Sequence, residues 1–155
     1  MTERPDRLRL RAEDLEDLAV LAACLQDARV SLREMVFDPN ERRFMAAFLR
    51  YRRETVVDPG CTDGWTRCPT ALVFNRVESV RYRGLDTADE TAEHRVLTML
   101  GRTVETGFEV MLFFADGGAI RLEMGEVQAR LDDFGECECC QPPADPLAAE
   151  LATAS

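Results

Sequence analysis

The sequence predicts an α+β domain, with one N-terminal helix followed by a mostly antiparallel sheet bent as a roll or partial barrel. Three observations lead there. A single strong helical repeat is confined to residues 12–28, period-2 alternation and tight-turn residues dominate from there to residue 124, and no β-α-β alternation calls for a parallel, doubly wound sheet. At 155 residues and 46% hydrophobic content the chain is large enough for one domain with a genuine core.

Leu8 to Leu10 alternates apolar and charged residues, as a short first strand does. Residues 12–28 then place Leu15, Leu18, Leu21, Ala22 and Leu25 on one stripe at helical spacing. Glu13, Asp14, Glu16 and Asp17 crowd the first turns, where acids suit the positive end of the helix dipole. Residues 29–54 read as two strands joined at Asp38-Pro39-Asn40, a turn tripeptide. In the second of these Met45, Ala47, Leu49 and Tyr51 share one face, while Phe44 and Phe48 point the other way. Residues 55–69 form a long loop with two glycines, two prolines and the only tryptophan. Residues 70–85 resume the sheet, and an acidic loop follows.

Residues 95–105 suit either a strand or a short helix. Residues 108–114 and 119–124 form a hairpin across Ala115-Asp116-Gly117-Gly118, whose glycines supply the positive φ of a tight turn. Residues 126–134 fit both periods. Val127, Ala129 and Leu131 alternate as in a strand, whereas Val127, Leu131 and Phe134 with Gly135 fit a capped helix. Propensity favours a short C-terminal helix, although Asp132 and Asp133 sit badly at a helix C-terminus. Past residue 134 the composition becomes acidic and Pro- and Cys-containing. The expected organisation is therefore one domain over 1–134 and a flexible tail over 135–155.

Composition excludes some functions. The formal net charge is −10, all 19 basic residues are arginine, and 29 are acidic. Such a chain is a poor ligand for nucleic acid or an anionic membrane. No apolar run reaches the ~18–20 residues of a membrane span. No secretory signal pattern opens the chain, so a cytoplasmic location is expected, with free thiols rather than disulfides.

The body of the chain nevertheless resembles a small bacterial family catalogued only as a domain of unknown function. The likeness is carried by LRLRAEDLEDLAVLAACLQDA, ERRFMAAFLRYRRE, LVFNRVESVRYRGLD, RVLTML and above all FFADGGAIRLEM followed by LDDFG, spread over residues 8–135. The resemblance implies a compact domain of this size and brings no activity, cofactor or catalytic residue. The family pattern continues with a tryptophan and a short polar end, where this chain has ECECCQPPADP.

Five cysteines lie in the long loop and the tail: Cys61, Cys68, Cys137, Cys139 and Cys140. If the tail folds back, they could supply the four thiolates of a zinc or iron–sulfur site. Against this, Glu136 and Glu138 disfavour thiolates by like-charge repulsion, and the spacings match no zinc knuckle. No cofactor is assigned. His94 is the sole histidine and is read as a surface residue. The chain lacks G-x-S-x-G, a P-loop and G-x-G-x-x-G, so no catalytic residue is assigned either. The expected function is a non-enzymatic binding or accessory module, with a cysteine-ligated metal or redox protein as the alternative. Arginines at 42, 43, 50, 52 and 53 would share a strip with Arg76, Arg81 and Arg83 if their strands pair. Arg50, Arg52 and Arg81, with Trp65 as an anchor, are the expected contacts for a protein partner or a small acidic ligand.

Overall fold

The computed structural model describes residues 7–52 and 66–139. Its elements are β1 (Arg9–Ala12), α1 (Leu15–Leu25), β2 (Arg29–Ser31), a 3-10 turn (Leu32–Glu34), β3 (Met35–Asp38), β4 (Arg43–Tyr51), β5 (Thr66–Phe74), β6 (Val77–Arg83), β7 (Glu93–Val104), β8 (Gly107–Phe114), β9 (Ala119–Met124), β10 (Ala129–Asp133) and β11 (Glu138–Cys139). This corrects the expected fold class: the protein is mainly β, an open antiparallel sheet with, among the described residues, a single α-helix. The helix expected within residues 126–134 does not form. Residues 129–133 are β10, hydrogen-bonded to β1 on one side and β5 on the other, and this two-sided pairing outweighs the local helical propensity. Of the ambiguous residues 95–105, all but Glu105 fall in the 12-residue strand β7.

The strand path runs β1-β10-β5-β4-β2-β7-β8-β9-β6, with β3 on β4 and β11 on β5. It does not close, so the expected roll or partial barrel gives way to an open sheet. The sheet must still turn back on itself. Phe74 ends β5 and Val77 begins β6, the third and ninth strands of the path. Three residues reach about 10 Å, whereas six flat strand spacings would need about 29 Å. The Val77 N–H donates to Arg42 O at 2.7 Å, so β6 starts beside the β3–β4 turn. Strand β7 makes the bend, pairing with β2 through Glu93–Arg95 and with β8 from Val96 onward, with a register shift between Val96 and Thr98.

Helix α1 is capped by Asp14, whose side chain accepts from the Asp17 N–H. Its Leu18, Leu21 and Leu25 are fully buried. It packs on β7 at Gly101, where a Cβ would stand 2.6 Å from Leu18 Cδ2 and 2.8 Å from Leu15 Cδ2. The core is one cluster joining the helix to both halves of the sheet, through Phe44, Phe74, Val96, Phe114 and Leu131 among others. The β8–β9 hairpin forms as its sequence predicts, with Gly117 at φ 95°.

A candidate functional site on the outer face of β6, β8 and β9

Strand β6 pairs with β9, not with β4. The expected arginine strip therefore separates. Arg42 lies 3.6 Å from Glu78, Arg43 donates to Asn75 Oδ1, and Arg76 bonds Gln128 and lies near Glu126. The Arg52 backbone N–H donates to Thr66 O. Trp65, Cys61 and Cys140 lie outside the described residues.

Arg50 is not a surface contact. Its side chain is 0% exposed and forms a two-pronged ion pair with Asp133, Nε to Oδ1 at 2.7 Å and Nη2 to Oδ2 at 2.5 Å. The Thr70 hydroxyl donates to Oδ1 and the Leu8 N–H to Oδ2. Burial alone would push the Asp133 carboxyl up. The Arg50 guanidinium, with the Leu8 and Thr70 hydrogen bonds, overrides it and holds the carboxyl below the usual carboxylate range. This is a fastening between β4, β5, β10 and the start of β1.

Two of the cysteines expected to be free or metal-binding behave differently. Cys68 on β5 and Cys137 form a disulfide, with Cα atoms 4.3 Å apart. The chain leaving β10 returns along β5, where Glu138 and Cys139 pair with Arg67 and Thr66. That return brings the two sulfurs together and withdraws two of the five proposed metal ligands. Among the described residues no group of His, Cys, Asp and Glu is placed to hold a metal ion.

His94 is also buried, 7% exposed, where a surface residue was expected. Its Nδ1 lies 2.5 Å from Asp116 Oδ2 in the β8–β9 turn, and its ring packs on Phe114. Asp116 also accepts the Gly118 N–H. Burial raises the Asp116 carboxyl, but the Gly118 and His94 interactions prevail and lower it. His94 Nε2 is buried without a hydrogen-bond partner. Among the described residues no hydroxyl or thiol engages it, and the His94–Asp116 contact ties the start of β7 to the β8–β9 turn.

The feature with open chemistry is on the outer face of β6, β8 and β9. Arg81 on β6 stands directly across from Arg121 on β9, which in turn stands across from Met111 on β8 and then Leu100 on β7. One row of the sheet thus runs from apolar to doubly cationic. In the neighbouring row Arg83 faces Ala119, with Phe113 beyond. Like charges directly opposed across strands destabilise a sheet. The compensation is one-sided. Glu123, fixed by the Ser79 hydroxyl at 3.2 Å, lies 3.4 Å from Arg121 Nε. That contact is an ion pair by distance, yet Nε lacks a hydrogen bond of good geometry. Arg81 and Arg83 are exposed and carry no ion pair among the described residues. The three arginines, with Met111, Tyr82 and Ala119, line a shallow pocket of about 250 Å³, just below the usual size of a small-molecule site.

A second like-charged apposition, Arg11 opposite Arg130, occurs at the other sheet edge. There Asp132 lies 3.7 Å from Arg130 and faces Arg9 across the strands. Acids and arginines are more evenly matched at that edge, and its approximately 550 Å³ hollow is lined by charged side chains and Leu10. The β6 face differs in its excess of unpaired arginine and its apolar floor. Arg121 escapes sequence reasoning because only the β6–β9 register places it beside Arg81.

The fold and this face define a mainly β domain with an exposed arginine cluster at one end of its sheet path. The chain belongs to DUF2948, a family described as a protein of unknown function, whose model matches residues 8–145. The match extends through the cysteine cluster. No curated protein and no solved structure matches the chain. No helix among the described residues is long and apolar enough to cross a membrane.

Proposed function

We propose that the protein is a soluble, non-enzymatic binding module, and that Arg81, Arg83 and Arg121 form its recognition site for a carboxylate-bearing partner. The observation that carries this reading is the opposition of Arg81 to Arg121 with, among the described residues, one acid, Glu123, within ion-pair distance of either guanidinium. A guanidinium pair that shares one counter-charge is unfavourable in the free protein and is relieved when a further carboxylate enters, because arginine binds carboxylate through two parallel hydrogen bonds. Met111 and Leu100, the latter 57% exposed, give the aliphatic part of such a partner a surface to cover. Electrostatics on a chain of net charge −10 also favour a local site over general attraction of anions.

The test is an NMR titration with glutarate, following the arginine Nε–H resonances. Shifts confined to Arg81, Arg83 and Arg121, and absent in Arg81→Gln, support the reading. Shifts spread over all arginines, or the same response in Arg81→Gln, overturn it.

A further inference from the structure

Resting on that reading, we infer that the partner is an extended acidic segment of another protein, which adds as a further strand to the edge of β6 that faces away from β9. β6 ends the strand path. One of its edges is taken by β9, and among the described residues no strand pairs with the other. Irregular pairing between Val77 and Ser79 confines the usable edge to Ser79–Arg83. This stretch contains no proline, and its backbone can therefore continue the ladder.

The side chains specify the ligand pattern. Arg81 and Arg83 project on the outer face, two residues apart. An added strand about 4.8 Å away would set alternate residues beside them, and acids at those positions would each meet a guanidinium. The intervening residue would face the other side, next to Val80 and Tyr82. Their β9 partners Leu122 and Ile120 are buried, yet Tyr82 remains 41% exposed, so that position calls for an apolar side chain. The recognised motif is acid–apolar–acid in extended form, held by main-chain bonds for affinity and by the arginines for specificity. Charge complementarity also excludes the simplest alternative occupant. A second copy pairing edge to edge through β6 would bring arginines alongside arginines, which disfavours self-association.

The experiment uses the full chain and two synthetic peptides, Ac-Thr-Glu-Val-Glu-Val-Glu-Thr-NH2 and the same sequence N-methylated at the two valines. Amide exchange across Ser79–Arg83 and affinity are read for both. The inference expects the unmodified peptide to slow exchange in this stretch. It expects the methylated peptide, of equal charge, to bind roughly tenfold more weakly, the loss of one to two net hydrogen bonds. Equal binding of both peptides would sink strand addition while leaving the carboxylate site intact. Failure of both peptides together with absence of glutarate shifts would sink the carboxylate site as well. Protection at Arg9–Ala12 instead would place strand addition at the wrong edge and overturn the inference.

Discussion

Arg50 and Asp133 meet in the core as a two-pronged ion pair, 83 residues apart in sequence, with neither side chain more than 4% exposed. Removing one partner leaves an uncompensated buried charge, typically worth ~3–5 kcal/mol. Arg50→Met or Asp133→Leu alone should lower the unfolding free energy by about that amount in urea titrations. The double variant should cost less than the sum. A strictly additive double mutant would mean that the pair is not coupled.

Asp133 also sets an acid limit. Its folded-state pKa is depressed below the value it has in the unfolded chain. It therefore contributes stability above its unfolded pKa of about 3.9, and that contribution is lost as pH falls through the folded value. Asp116 acts in the same direction, discounted because its side chain is half exposed. Stability should decline below about pH 4, and Asp133→Asn should flatten that decline. An unchanged acid slope in the variant would remove Asp133 from the explanation.

The Cys68–Cys137 disulfide closes a loop of 69 residues, and chain entropy gives such a closure up to about 4 kcal/mol. Cys137→Ser should lower the melting temperature measurably. A non-reducing tryptic map should link the peptide Cys68–Arg76 to the peptide that begins at Leu131. Recovery of both peptides unlinked from air-exposed protein would contradict the bond.

Gly101 lies where β7 meets α1, with Leu15 and Leu18 in the space a Cβ would need. Gly101→Val should cost about 1–3 kcal/mol by overpacking, with loss of helical signal near the transition. Full stability of this variant would show that the helix can shift freely.

Much of this architecture is legible in the sequence because it is local. The α1 stripe, the Asp38-Pro39-Asn40 turn and the Asp116-Gly117-Gly118 hairpin declare themselves through residues a few positions apart. What escapes is set at long range. Residues 129–133 satisfy both periods, and only the flanking β1 and β5 choose the strand; Asp132 and Asp133 were the local hint. The burial of Arg50 follows from its sharing a face with Phe44, Ala46 and Phe48, the even positions of β4. Yet nothing near it in sequence names Asp133 as its partner. The sequence marks Arg81 as one of an arginine group, but the turn of the sheet gives it Arg121 on β9 as neighbour instead of the β4 arginines.

Arg81→Gln removes one member of the like-charged pair, and glutarate offers the missing counter-charge. Urea unfolding of the native chain and of Arg81→Gln, each with and without glutarate and with Arg11→Gln as control, brings these together. A recognition site predicts that Arg81→Gln is about 0.2–1 kcal/mol more stable without ligand, from relief of cross-strand repulsion. Glutarate should raise the midpoint of the native chain and of Arg11→Gln, as binding to the folded state alone requires, and leave Arg81→Gln unmoved. If Arg81→Gln is instead less stable and responds to glutarate as the native chain does, Arg81 is a structural residue and the arginine face is not the site.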